Sequence, residues 1–179
     1  MSSRRSPWIW LVLGLLAAPF ATGCDPSPPS SSALATATAT ASASRQIEGP
    51  LIEWAPAPEG DVQAIVKAEV ERAKKDGRAL IVYVGATWCE PCNRFHEAST
   101  GGQIKADLPA LRMLEFDLDR DAERLAAAGY GSKLIPLFAV PGPDGRGTEA
   151  RIEGSIKGPG AVGNIVPRLR ALLARSRGS

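Results

Sequence analysis

The run Ala79-Leu80-Ile81-Val82-Tyr83-Val84 shows no polar alternation. A strand of that kind is covered on both faces, which places it inside a sheet layered between helices. The neighbouring residues supply those helices. Before the run, Val62, Ile65, Val66, Val70 and Ala73 recur at spacings of three and four behind a capping Asp61. Lys74-Lys75-Asp76-Gly77 closes that helix, since cations favour its carbonyl end and glycine stops it. After the run, Cys89-Glu90-Pro91-Cys92 opens a second helical stretch, expected to reach about Leu108.

Leu51 to Trp54 and Leu111 to Phe116 read as strands. A short helix capped by Asp119 or Asp121 is expected through Ala128, with Gly129 ending it. Leu137 to Val140 and Thr148 to Ile152 read as strands across the turn-rich segment from Pro141 to Gly147. The last helix carries Val162, Ile165, Val166, Leu169, Leu172 and Leu173 on one side. Pro167 is expected to kink it, by removing one hydrogen bond and crowding the carbonyl of Gly163. The order β-α-β-α-β-α-β-β-α specifies an α/β fold, a mixed central sheet flanked by helices.

The segment ahead of this domain has a different character. Residues 2–6 are polar with Arg4 and Arg5, and Pro7 to Phe20 are almost wholly apolar, the pattern of a secretory signal. The apolar run is shorter than the roughly 20 residues that span a bilayer. It ends in Ala21-Thr22-Gly23-Cys24, which resembles the bacterial lipobox. That resemblance implies a signal peptide over residues 1–23, cleavage before Cys24 and lipidation of its sulfur. Residues 25–48 are Pro, Ser, Ala and Thr with little large apolar surface, so a disordered linker is expected. Residues 49–179 form the folded domain. The expected location is the bacterial cell envelope, with the domain facing the periplasm or exterior from a membrane anchor.

Charge argues against some partners. The chain has 21 Lys and Arg, of which Arg4 and Arg5 leave with the signal, against 19 Asp and Glu. The mature chain is thus close to neutral, and nothing in it calls for nucleic acid. Arg168, Arg170, Arg175 and Arg177 read as a solvated helix face and tail.

Three cysteines are too few for a disulfide framework in an exported domain. A C-x-x-C pair has three readings: a redox dithiol, half of a zinc site, or a metal carrier. Tetrahedral zinc takes four ligands, and the chain adds only one histidine, His96. The redox reading gains from position. Cys89 follows a buried strand and begins a helix, where unpaired N–H groups and the helix dipole stabilise a thiolate. Cys92, one turn further and less exposed, can resolve a mixed disulfide. Pro91 is tolerated in the first helical turn.

Here the chain resembles the thioredoxin superfamily. Trp88-Cys89-Glu90-Pro91-Cys92 matches its W-C-x-x-C, Tyr130-Gly131 then Ile135-Pro136 match its Y-G and I-P, and Gly154 matches the glycine after its final strand. The resemblance implies a thioredoxin fold, a redox disulfide between Cys89 and Cys92, and a cis-proline at Pro136. It also implies substrate binding by Trp88, Ile135 and Pro136. The activity implied is protein-disulfide reduction with no cofactor. The implied partners are envelope protein disulfides and a transmembrane thiol electron donor, the protein acting as a monomer. A copper or other metal carrier using Cys89, Cys92 and His96 is the rival.

Two positions depart from the family. Tyr83 stands six residues before Cys89, where thioredoxins carry a buried aspartate, and Glu115 stands where its lysine partner is usual. Tyrosine titrates near pH ~10 and is no base at neutral pH. The catalytic proton path is therefore expected through Glu115, on the strand beside Tyr83, through His96, on the Cys92 face of the helix, or through Glu90. The C-terminal domain of the transmembrane thiol–disulfide interchange protein, which this domain also resembles, has a glutamate at the His96 place. Glu90 resembles the acid in the dithiol of extracytoplasmic thioredoxins of cytochrome c maturation. An acid there disfavours the Cys89 thiolate and points to a reductant, because strong oxidants stabilise their reduced form.

Overall fold

The computed structural model describes residues 49–178. The expected signal peptide, Cys24 and the linker lie outside the described residues. In chain order the elements are β1 (Ile52–Pro56), α1 (Val62–Lys75), β2 (Ala79–Gly85), α2 (Glu90–Thr100), β3 (Leu111–Asp117), α3 (Leu118–Ala127), β4 (Leu137–Pro141), β5 (Gly147–Glu153) and α4 (Ala161–Ser176).

The apolar run becomes β2, the middle strand of a five-stranded sheet ordered β1-β3-β2-β4-β5. It pairs parallel with β3 and antiparallel with β4. Its alternating side chains feed two cores. Ile81 and Tyr83 join Phe95 of α2 and Ile165 and Leu169 of α4. Leu80, Val82 and Val84 join Val62 and Val66 of α1 and Leu125 of α3. Burying an aliphatic or aromatic side chain stabilises the fold by about 1.5–3 kcal/mol, so a strand buried on both faces is the costliest place for a polar residue. With α1 and α3 on one face and α2 and α4 on the other, the described residues have a thioredoxin fold.

Three local expectations need correction. The helix after the dithiol stops at Thr100 rather than near Leu108. Gly101 and Gly102 follow it, with Gly102 left-handed at φ +74°. The hydroxyls of Ser99 and Thr100 both donate to the His96 carbonyl, at 2.8 and 2.9 Å. Ile104 and Leu108 keep a helix-like spacing but reach the core from consecutive turns. The cap of α3 is Asp117, not Asp119 or Asp121. Its carboxylate accepts from the amides of Asp119 and Arg120, so β3 passes straight into α3. The first strand lies at Ile52–Pro56, shifted from Leu51–Trp54. The expected Asp61 cap is present, accepting the Ala64 amide at 2.7 Å. α4 runs unbroken through Pro167, which lies on its exposed side.

At the end of the sheet away from the dithiol, Arg112 is buried between Glu69 of α1 and Glu53 of β1. Arg78 also donates to the carbonyls of Pro50 and Leu51. This ties the edge strand and the entry of the domain to the sheet. Burial pulls the Arg112 pKa down, but hydrogen bonds and charge from Glu69 and Glu53 outweigh it and raise it. The guanidinium stays charged.

Candidate active site

Cys89 caps α2, and its sulfur accepts the Cys92 amide at 3.3 Å. Its own amide donates to the Ala86 carbonyl, and the Asn93 side-chain amide donates to the Thr87 carbonyl. These bonds fix the turn between β2 and α2. The two cysteines are joined as a disulfide with Cα atoms 5.2 Å apart. Both are buried as residues, Cys89 4% and Cys92 2% exposed, so neither side chain projects freely. They open instead to different surroundings.

Cys89 and Pro91 line a groove of about 490 Å³, together with Trp88, Leu134, Ile135 and Ile156. Trp88, Leu134 and Ile156 are 64%, 60% and 55% exposed, a rim of large apolar side chains around the sulfur. The Trp88 indole N–H donates to Asp119 Oδ2 at 2.8 Å, which holds the ring at the groove edge. The Ile135–Pro136 bond is cis. Pro136 is buried, and its carbonyl accepts the Gly154 amide at 2.9 Å. Gly154 has φ +64°, and a Cβ there would meet Leu134 at 3.2 Å, so both backbone angle and space call for glycine.

Cys92 borders a second cavity of about 230 Å³, lined by Tyr83, His96, Glu115 and Arg120 among others. The structure thus brings Tyr83, His96 and Glu115 together beside Cys92, while Glu90 lies at the groove instead. Glu115 is the register partner of Tyr83 across β2 and β3, and it is half-buried. Burial, and then the negative charge of Glu115, push the Tyr83 hydroxyl pKa well above its ordinary value. Tyr83 is therefore no base here. The His96 ring lies against Trp54 with centroids 4.3 Å apart, and Trp54 is fixed by its N–H to Ser99 Oγ at 3.0 Å.

Glu90 does not stand free beside Cys89. Its carboxylate accepts from Arg94 Nε at 2.6 Å and from the Gly158 amide at 3.1 and 3.2 Å. The Arg94 hydrogen bond, followed by the Gly158 amide, holds its pKa below the ordinary carboxylate value. Its charge is thus balanced by a cation, and its effect on Cys89 is weaker than that of a bare acid.

Sequence reasoning missed Leu134, Ile156, Asp119 and Gly158. Leu134 and Ile156 carried one signal: large apolar residues in loops, next to the I-P pair and after the last strand. Among the described residues, no group of three or more His, Cys, Asp and Glu side chains is arranged to hold a metal ion. No described helix is long and apolar enough to cross a membrane.

No family model and no curated protein matches the chain. Among solved structures it is similar to a wild-type thioredoxin h of poplar, at 20% identity and a TM-score of 0.44, over 72% of this chain and 97% of that one. It is also similar to thioredoxin of Trichomonas vaginalis, at 21% identity and a TM-score of 0.44, over 72% and 99%.

Proposed function

We propose that this protein is a thiol–disulfide oxidoreductase of the bacterial envelope, tethered through a lipidated Cys24 and acting as a reductase of protein disulfides. The observation that carries the reading is a disulfide at a helix N-terminus whose two sulfurs border different openings, a groove rimmed by Trp88, Leu134 and Ile156 and a cleft that holds His96, Glu115 and Arg120. A transmembrane thiol donor passes two electrons to the disulfide and leaves Cys89 and Cys92 reduced. The Cys89 thiolate attacks one sulfur of a substrate disulfide held in the groove by Trp88, Ile135 and Pro136. A mixed disulfide forms and the substrate's other sulfur leaves as a thiolate. Cys92 then gives its proton to the cleft and attacks the Cys89 sulfur. The second substrate thiolate leaves, the protein disulfide re-forms, and both substrate thiolates take up protons. The proton of Cys92 goes to Glu115, with His96 as the other acceptor the cleft offers.

The ionised Glu90 disfavours the Cys89 thiolate, and its pairing with Arg94 weakens that bias. The test is equilibration of the protein in thiol–disulfide buffers of graded potential. A value nearer thioredoxin's, about −270 mV, than a strong oxidant's, about −120 mV, is expected. A potential near the oxidant's would reverse the assigned direction. For the tether, full-length protein should partition into detergent and Cys24→Ser should move it to the aqueous phase. Soluble mature protein still carrying residues 1–23 would sink the lipoprotein reading.

A further inference from the structure

The segment between β5 and α4 reads Gly154-Ser155-Ile156-Lys157-Gly158-Pro159-Gly160. Its ends are anchored. Arg168 of α4 donates to the carbonyls of Glu153 and Gly154, both at 2.8 Å. The Ser155 hydroxyl reaches the Ala161 carbonyl and Asn164 Oδ1, both at 3.2 Å. The crest of the loop, where Ile156 forms one wall of the groove, is rich in glycine and held differently. There the Gly158 amide donates across the groove mouth to both carboxylate oxygens of Glu90, 68 residues away. Gly158 has φ +83° and open space where a Cβ would lie, so glycine serves the backbone angle and not a tight contact. The carboxylate is kept ionised by Arg94, which makes it a charge-assisted acceptor.

We propose that Glu90, the first of the two residues between the cysteines, is a latch that fixes the β5–α4 loop against the dithiol helix. By setting the position of Ile156 opposite Trp88 and Leu134, it selects the substrates of Cys89: extended protein segments with an apolar side chain of limited bulk beside the target cysteine. The proposal rests on the oxidoreductase reading for its substrates, but the latch itself is a property of the folded chain. Glu90 is a positioning residue in this role. Besides the Ala161 amide, which donates to the Gly158 carbonyl at 3.1 Å, the crest is tied by this one side chain, so its local stability is low and removing the side chain loosens the crest without unfolding the domain.

The experiment uses the full-length protein and its Glu90→Ala and Glu90→Gln variants. One readout is hydrogen exchange at the Gly158 amide. The other is steady-state reduction of two peptide disulfides differing only in Ala or Phe beside the cysteine, with a small aromatic disulfide reporting the intrinsic reactivity of Cys89. Glu90→Ala should lower Gly158 protection on the order of tenfold, the loss of one hydrogen bond to a charged group. The ratio of the two peptide KM values should shift about threefold or more, while kcat for both follows the small disulfide. Glu90→Gln removes the charge but keeps an acceptor oxygen, and should retain part of both the protection and the ratio. Unchanged protection and ratio in Glu90→Ala would overturn the latch, as would a Glu90→Gln variant indistinguishable from Glu90→Ala. If the wild-type protein reduces none of the three disulfides while Glu90→Ala still frees Gly158, the oxidoreductase reading fails and the latch stands.

Discussion

The groove and the cleft sit on either side of one disulfide and differ in the side chains they bring to it. The groove beside Cys89 is walled by Trp88, Leu134 and Ile156, large apolar side chains left in water. Such exposure costs solvation, and apolar side chains gathered in this way suit contact with another apolar surface. The cleft beside Cys92 brings Glu115, His96, Asp117 and Arg120 to a smaller opening under a buried tyrosine. Its materials suit the transfer of a proton. The difference teaches that two cysteines three residues apart are given different surroundings by the fold, and on the proposed reading those surroundings separate their tasks.

The sharpest way to break this division is at the sulfurs. Cys89→Ser should reduce turnover to background, while Cys92→Ser should accumulate mixed disulfides, seen as adducts under non-reducing electrophoresis. Full turnover by Cys92→Ser would mean that one side suffices.

Next in size is the cleft. Glu115→Gln should slow resolution of the mixed disulfide by about 10²-fold or somewhat less and leave the Cys89 attack rate nearly unchanged. His96→Ala is the matched control. If it alone slows resolution, the proton runs along the helix; if neither variant alters the pH–rate profile of resolution, bulk water is the acceptor.

The frame of the cleft can be tested through Asp121, which is buried and bound to Arg120, Arg124 and the Asp117 amide. Burial pushes its pKa up, but hydrogen bonds from Arg120 and Arg124 and the Asp117 amide outweigh this and hold it below the ordinary value of an unfolded aspartate. A depressed folded-state pKa contributes stability that is present above the unfolded value and lost as pH falls through the folded one. Asp121→Asn should therefore cost about 1–3 kcal/mol in urea unfolding at neutral pH. The gap to wild type should narrow at acid pH, below that unfolded value. A constant gap would assign the effect to packing.

Smaller still, Ile156→Ala should raise KM for apolar peptide disulfides about tenfold, with kcat held, because it removes apolar area from the groove and nothing from the cleft. A change in kcat alone would contradict the separation. The smallest effect expected is from Tyr83→Phe. The hydroxyl stays protonated through neutral pH, since burial and Glu115 raise its pKa. The resolution rate should move less than about threefold, the aromatic packing against Trp54 and Phe138 being kept. A larger loss would make the hydroxyl part of the relay.

Much of this was legible in the chain itself. An uninterrupted apolar strand has one stable place, between two layers, and Ala79–Val84 by itself specifies the centre of the sheet. Asp61 as a cap, Gly77 as a stop and the dithiol at a helix start are local matters of hydrogen bonding and backbone angle, decided within a few residues. The end of α2 was readable in principle from Gly101 and Gly102, but the spacing of Ile104 and Leu108 imitated helix. Apolar periodicity reports burial, and consecutive turns can bury the same residues.

What only the tertiary structure decided is which distant residues meet. Glu90 with Gly158, Trp88 with Asp119 and Trp54 with His96 lie 68, 31 and 42 positions apart in the chain, and no local rule relates them. The division of Cys89 and Cys92 between groove and cleft is of the same kind. It follows from where the loops before β4 and after β5 and the end of β3 are packed, because side chains far apart in sequence are brought into contact only when the sheet and its two helical layers close.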